Sequence, residues 1–242
     1  MSGSGDIKFL DRNPPAHALE EIRGVAVRRY GLEGHFQSLG SERDQNYRVE
    51  TAGGAKYAFK IANIGESVEV ADFQLGALHH IARQDSTLPV PRVVPDVEGQ
   101  SFCRVRFADD NEHIVYVLKY LDGIPLSDVG NNIGSTTCKC FGALIAKVDI
   151  ALRGYFHPAA EQQHPWNIGT CARLRHLTRF IDNDEHRSEV DGVLAHMSEI
   201  VTPRLRSLRH QVIHQDAHAD NVHVDPNGHS KITGLIDFGD LL

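Results

Sequence analysis

Two short stretches, His214-Gln215-Asp216-Ala217-His218-Ala219-Asp220-Asn221 and Ile236-Asp237-Phe238-Gly239-Asp240, hold the residues best suited to chemistry in this chain. An Asp that accepts a hydroxyl proton, an amide oxygen at the end of the same loop and a second carboxylate downstream are what a phosphoryl-transfer site requires. Those roles fall on Asp216 as base and on Asn221 and Asp237 as metal ligands. Amide and carboxylate oxygens are hard donors, so the implied metal is Mg²⁺, with positions left over for phosphate and water. His-x-Asp and Asp-Phe-Gly are each common by chance. Their order, with the apolar Gln211-Val212-Ile213 before the first and Ile232-Thr233-Gly234-Leu235-Ile236 before the second, predicts a strand–loop–strand hairpin whose loop ends meet.

Other elements must deliver a cation to the same place. Pro14-Pro15 is expected to open a helix with Leu19, Ile22 and Ala26 on one face and Gly31 as its C-cap. A strand follows, and then the turn-rich Leu39-Gly40-Ser41-Glu42-Arg43-Asp44-Gln45-Asn46 leads into Tyr47-Arg48-Val49-Glu50-Thr51. Gly53-Gly54 turns the chain into Tyr57-Ala58-Phe59-Lys60-Ile61. Period-two alternation puts Ala58 and Lys60 on one face of that strand, so a flat base has room over Ala58 while the Lys60 ammonium reaches phosphates. Ser67 caps a helix to about Arg83, with Val70, Gln74, Ala77, Leu78 and Ile81 at helical spacing. The partner of Lys60 is then either Gln74 on that helix or a neighbouring acid, Glu69 or Asp72.

Pro89, Pro91 and Pro95 lead to the apolar strand Ile114-Val115-Tyr116-Val117-Leu118-Lys119-Tyr120-Leu121, which ends at Asp122-Gly123 where a hinge belongs. Beyond it, Phe141, Leu144, Ile145, Val148 and Leu152 mark one amphipathic helix, and Val190, Val193, Leu194, Met197, Ile200 and Val201 mark another. The reading is α+β in two lobes: residues 1–118 as a nucleotide-binding lobe of antiparallel sheet plus helix, and 119–242 as a mainly helical catalytic lobe.

The whole chain bounds this reading. Its 242 residues can bury roughly 70–75% of their unfolded surface, and 41% hydrophobic with 24% charged residues is a globular balance. No apolar run reaches the roughly 20 residues that cross a bilayer, and the Met1-Ser2-Gly3-Ser4-Gly5 start lacks the features of a signal peptide, so a cytoplasmic location is expected. A net charge of −7 argues against nucleic acid or a membrane surface as the main partner and favours a cationic small molecule. Cys103, Cys138, Cys140 and Cys171 read as core or surface thiols.

These residues resemble the aminoglycoside phosphotransferase-like kinases, a small-molecule branch of the protein-kinase-like fold, over nearly the whole chain. The Leu39–Asn46 loop, Asp72-Phe73-Gln74, Gly154-Tyr155-Phe156-His157-Pro158-Ala159-Ala160, Pro165-Trp166-Asn167 and Gly234–Asp240 look most like the hydroxylysine-kinase-like group, which also occurs fused to class-III aminotransferase-like enzymes. The resemblance implies ATP or GTP as donor, Mg²⁺ as cofactor and an amino alcohol or hydroxy-amino acid as acceptor, with an aminotransferase-like enzyme fused or associated in a longer context. It places phosphate contact on Lys60, phosphate cover on the loop around Ser41, base stacking at Ala58 and base binding on the backbone of Lys119 and Leu121. Gln215 stands where protein kinases carry an Arg that senses a phosphorylated loop, which disfavours protein substrates. Relatives continue past the position of Leu242 into helices that wall the acceptor pocket, so the resemblance implies a truncated catalytic lobe.

Two rival readings differ in class. His214, His218 and His223 could ligate a metal in a hydrolase, although zinc-protease spacing wants Glu where Gln215 stands. Alternatively the chain binds Mg-nucleotide without turnover, as a regulatory module, which Gln74 in a position usually held by Glu supports. Within the kinase reading, an aminoglycoside or choline-type acceptor is the runner-up.

Overall fold

The computed structural model describes residues 13–161, 166–205 and 207–242. The Met1–Gly5 start and Pro165, read above, lie outside them. The chain divides into two compact units: residues 12–160 with 212–241, which hold every element of the site, and a unit that includes residues 161–211.

In the larger unit, helix α1 (Leu19–Tyr30) begins four residues beyond Pro15, with extended Ala18 ahead of it. Glu20 and Glu21 in its first turn and Arg28 and Arg29 in its last oppose the helix dipole. Gly31 ends it in the left-handed region (φ 59°) and donates to the carbonyls of Ala26 and Val27, a position a Cβ would strain. Strands β1 (His35–Leu39), β2 (Gln45–Glu50) and β3 (Lys56–Ile61) follow, then helix α2 (Val68–Gln84), with the Ser67 hydroxyl accepting from Val70 N–H as its cap. Strands β4 (Val93–Val94), β5 (Cys103–Arg106) and β6 (Glu112–Lys119) complete an antiparallel sheet of order β1-β2-β3-β6-β4, with β5 also on β6.

Alternation along β3 and β6 divides the core in two. Phe59, Ile61, Val115 and Val117 pack under α1 with Ile22, Val25 and Ala26. Ile114 and Tyr116 face the other way, toward α2 residues Leu75, Leu78 and Ile81. Lys60 and Ala58 are on this second face as period two requires, and Lys60 pairs in register with Tyr116.

The chain leaves the sheet through Gly123 (φ 147°), where an added Cβ would clash with Thr233 Oγ1. Strand β7 (Ile124–Pro125) then joins β8 (Val222–Asp225) and β9 (Gly228–Leu235) in a second antiparallel sheet. Helix α3 (Ser135–Ala151) lies on β9 and buries Leu144, Val148 and Ala151. Residues 211–213 form no strand: Val212 is buried but Ile213 is exposed. The hairpin expected to span both motifs is instead β8–β9, between them. In the smaller unit, 3₁₀ turns over Ile168–Phe180 precede helix α4 (Asp184–His196), which continues through a π-helical turn at Met197–Val201 into α5 (Thr202–Leu205). No helix among the described residues is long and apolar enough to cross a membrane.

Candidate functional site

The loop from His214 to Asn221 is shaped by its own backbone. Asp216 N–H donates to the His214 carbonyl at 2.8 Å, His218 N–H to Asp216 at 3.0 Å and Asn221 N–H to His218 at 3.1 Å. Gln215 takes positive φ (69°), so its neighbour Asp216 is presented from a tight bend. Two bonds tie the loop to the strand before Asp237: Ile236 N–H donates to the Asn221 carbonyl at 2.8 Å, and the Ile236 carbonyl lies 3.0 Å from His214 Nε2. A carbonyl only accepts, so His214 carries its proton on Nε2. Its ring is buried, meets Phe238 edge-on at 4.6 Å, and is held below the ordinary histidine pKa by burial. Neutral His214 thus clamps one motif to the other.

The Asn221 amide nitrogen donates to Asp216, to the main-chain carbonyl at 2.9 Å and to Oδ2 at 2.8 Å, and lies 3.2 Å from His218 Nε2. Asn221 Oδ1 makes no hydrogen bond among the described residues, which orients an oxygen donor without occupying it. Asp237 sits in the left-handed region (φ 61°, ψ 74°), costly for a non-glycine residue, with Oδ1 accepting from Gly239 N–H at 3.3 Å. Its side chain is exposed. Two hard oxygen donors left open in this way suit Mg²⁺.

Lys60 reaches the same cleft, of about 310 Å³ including its mouth, which Lys60, Gln74, Leu75, Tyr116, Asp237 and Gly239 help to line. Its ammonium lies 3.8 Å from Asp44 Oδ2 and 5.6 Å from the centre of the Tyr116 ring. Burial works against the charge of Lys60, but Tyr116, Asp237 and Asp44 outweigh it, so its pKa stands above the ordinary lysine value. Burial also pushes the Tyr116 phenol up to about 12. Gln74 is buried yet leaves Lys60 alone: its Nε2 donates to the Gly239 carbonyl at 2.9 Å and to Glu66 Oε1 at 3.3 Å. Asp72 pairs with His157 at 3.1 Å, and Glu69 is exposed. The partner of Lys60 is therefore none of the helix residues expected from sequence but Asp44, from the β1–β2 loop.

That loop is ordered by its own polar residues. Ser41 Oγ accepts from Asp44 N–H at 3.0 Å, and Asp44 Oδ1 accepts from Asn63 N–H at 3.1 Å. Arg43 bonds Asp240 Oδ1 at 2.8 Å, so the loop expected to cover phosphates is latched to the turn that carries Asp237. Burial opposes the Arg43 charge, while Asp240, Asp237 and Asp44 hold its pKa above the ordinary value. Glu66 completes the cluster; burial and Asp44 raise its pKa to about 7 against the pull of Arg43 and Lys60. Sequence reasoning gave no role to Arg43, Asp44, Glu66 or Asp240; the signal for the first two was a dense run of polar residues in the loop before the lysine strand, and for Asp240 its place in the Asp-Phe-Gly-Asp turn.

Ala58 lies opposite Arg48 on β2 and Leu118 on β6. At the strand end, Lys119 N–H donates to the Arg92 carbonyl at 2.8 Å, and the Leu121 carbonyl lies 3.0 Å from His223 Nδ1. His214 and His223 are thus each engaged by a carbonyl, while His218 lies 3.4 Å from Asp216 Oδ2 and 3.2 Å from Asp220 Oδ2. The three rings serve separate partners rather than one metal.

The model of a phosphotransferase enzyme family, APH, matches residues 35–242, most of the chain. The chain belongs to this family. It is 26% identical over 233 residues to a hydroxylysine kinase of Danio rerio, covering 91% of this chain and 64% of that relative. Among solved structures it is similar to amicoumacin kinase hAmiN, a complex with AMP-PNP, Ca²⁺ and Ami (TM-score 0.67, 13% identity, 93% of this chain and 65% of that one). It is also similar to a microcompartment-associated aminopropanol kinase (TM-score 0.59, 16% identity, 93% of this chain and 70% of that one). Aminoglycoside phosphotransferase APH(4)-Ia gives a TM-score of 0.58 at 16% identity, with 90% of this chain and 71% of that one covered. The chain thus spans just under two thirds of the length of the first two of these, and at such low identities the solved structures show the fold.

Proposed function

We propose that this chain is the nucleotide-binding and catalytic part of a small-molecule kinase that transfers the γ-phosphate of ATP or GTP to a hydroxyl of an amino alcohol or hydroxy-amino acid. The observation that carries the reading is the Asp216–Asn221 pair. One side chain holds the other so that an amide oxygen is left open, on a loop bonded to Ile236, the neighbour of Asp237. The family match and the likeness to a hydroxylysine kinase support the acceptor class, and the AMP-PNP bound by a structural neighbour supports a nucleotide donor.

In this reading Lys60 contacts the α- and β-phosphates and Ala58 leaves space for the base. The base is held through the Lys119 carbonyl and the Leu121 N–H, since the partner groups of both residues are already engaged. Ser41 and its loop close over the phosphates, with Arg43 as the latch. Asn221 Oδ1 and the Asp237 carboxylate would hold Mg²⁺, whose contribution when bound is to neutralise charge on the β- and γ-phosphates. Asp216 accepts the acceptor's hydroxyl proton, and the chain's net charge of −7 suits an acceptor that carries an ammonium group.

The test is a screen of hydroxylated amines and amino acids with ATP and GTP in the presence of Mg²⁺, reading nucleoside diphosphate release. Acceptor-dependent release that is lost in Asp216→Asn supports the proposal. Tight Mg-nucleotide binding with no release for any acceptor would replace it with a nucleotide-binding module.

A further inference from the structure

Away from the cleft, on the side of the sheet that carries α1, two histidines approach each other with bare nitrogens. His113 is the second residue of β6 and its side chain is 4% exposed. Its Nδ1 lies 2.9 Å from the Ala62 carbonyl. That carbonyl can only accept, so Nδ1 holds the proton and Nε2 presents a lone pair. His17 comes from the segment ahead of α1, where Gln45 bonds both its N–H (2.9 Å) and its carbonyl (3.0 Å). The His17 ring stacks on Phe107 at 3.9 Å and meets His113 edge-on at 4.7 Å. Nε2 of each ring is buried and makes no hydrogen bond. Asp109, from the β5–β6 turn, places Oδ2 at 3.6 Å from His113 Nε2, and one donor atom from each of the three residues lies within 4.8 Å of the others.

We propose that His17, Asp109 and His113 bind a divalent transition ion of the zinc class, which fastens the segment ahead of α1 to the β5–β6 hairpin. Two imidazoles and a carboxylate form a donor set that favours zinc-like ions over Mg²⁺ or Ca²⁺, which prefer oxygen. A buried imidazole nitrogen with no hydrogen-bond partner is unfavourable, and a shared cation would satisfy both rings. The Ala62 carbonyl on His113 is the outer contact that fixes the ligating tautomer in metal sites. Asp109 Oδ1 and Oδ2 accept from Asn111 N–H and Nδ2 at 3.1 and 3.0 Å, and metal binding would draw the carboxylate from Asn111 Nδ2 toward a ligand bond of ~2.0–2.2 Å. His17 precedes the stretch matched by the family model, and none of the three residues lines the Lys60 cleft. The site also does not depend on the function proposed above.

The experiment uses the full chain without an affinity tag, stripped with chelator and titrated with Co²⁺ and then Zn²⁺. One equivalent of Co²⁺ should bind with visible d–d absorption, Zn²⁺ should displace it, and Zn²⁺ should raise the thermal midpoint. Asp109→Asn and His17→Ala should weaken binding at least tenfold and abolish the midpoint shift, while His35→Ala, at an exposed position, should change neither. Asp109→Asn is the decisive variant, because it keeps an oxygen to accept from Asn111 N–H in the turn while removing the anionic ligand, where His113→Ala can disturb the core. Absence of one-equivalent binding, or binding that persists unchanged in Asp109→Asn and His17→Ala, overturns the proposal.

Discussion

Glu66→Gln should alter the pH dependence of stability in a direction the structure sets. Glu66 is partly buried, beside Asp44 and with Asp240 nearby, and its pKa rises from the ordinary 4.5 to about 7 because burial and these carboxylates disfavour the charged form. A carboxyl that binds its proton more tightly in the folded state lowers stability as pH climbs from the unfolded value through the folded one. Each pKa unit is worth ~1.4 kcal/mol, so full ionisation costs the fold at most about 3 kcal/mol, and solvent on the exposed part of the group reduces this to about 1–2 kcal/mol. Glutamine keeps an oxygen to accept from Gln74 Nε2, now 3.3 Å from Glu66 Oε1, and removes the titration. Urea unfolding of both proteins at half-unit steps from pH 5 to 8 measures the difference. The variant should be close to wild type at pH 5 and more stable by about 1–2 kcal/mol at pH 8. A gap that stays constant across the range, or one that favours the wild type as pH rises, refutes the raised pKa of Glu66.

Asp216→Asn, which keeps an acceptor for Asn221, should lower kcat by roughly 10²–10⁴-fold with nucleotide affinity retained, as kinetics beside calorimetry would show. Asp237→Ala should abolish transfer and weaken Mg-dependent nucleotide binding, and Asn221→Ala should do so more mildly; unchanged Mg-nucleotide affinity for Asp237→Ala removes it as a ligand. Arg43→Ala, which breaks the 2.8 Å bond to Asp240, should cost about 1.5–3 kcal/mol in urea unfolding and raise the nucleotide KM, whereas an unchanged KM would mean that the latch does not order the phosphate loop.

What the sequence determined by itself is whatever depends on local spacing. Alternation along Tyr57–Ile61 put Ala58 and Lys60 on one face, Ser67 announced the cap of α2, and Gly31 the end of α1, because side-chain direction and backbone dihedrals are set within a few residues. The order of Lys60, Asp216, Asn221 and Asp237 likewise pointed to the phosphotransferase enzyme family that residues 35–242 match. Which acid meets Lys60 was not legible. Gln74, Glu69 and Asp72 stood at plausible helical positions, yet Asp44 takes the ammonium, because Asn63 N–H and Ser41 Oγ bend its loop onto the strand. The neutral tautomer of His214 depends on a carbonyl 22 residues away. The pairing of His17 with His113 joins residues whose separation in the chain leaves no periodic trace. Contacts of this kind depend on where the sheet, the loops and α2 come together, and only the tertiary structure decides that.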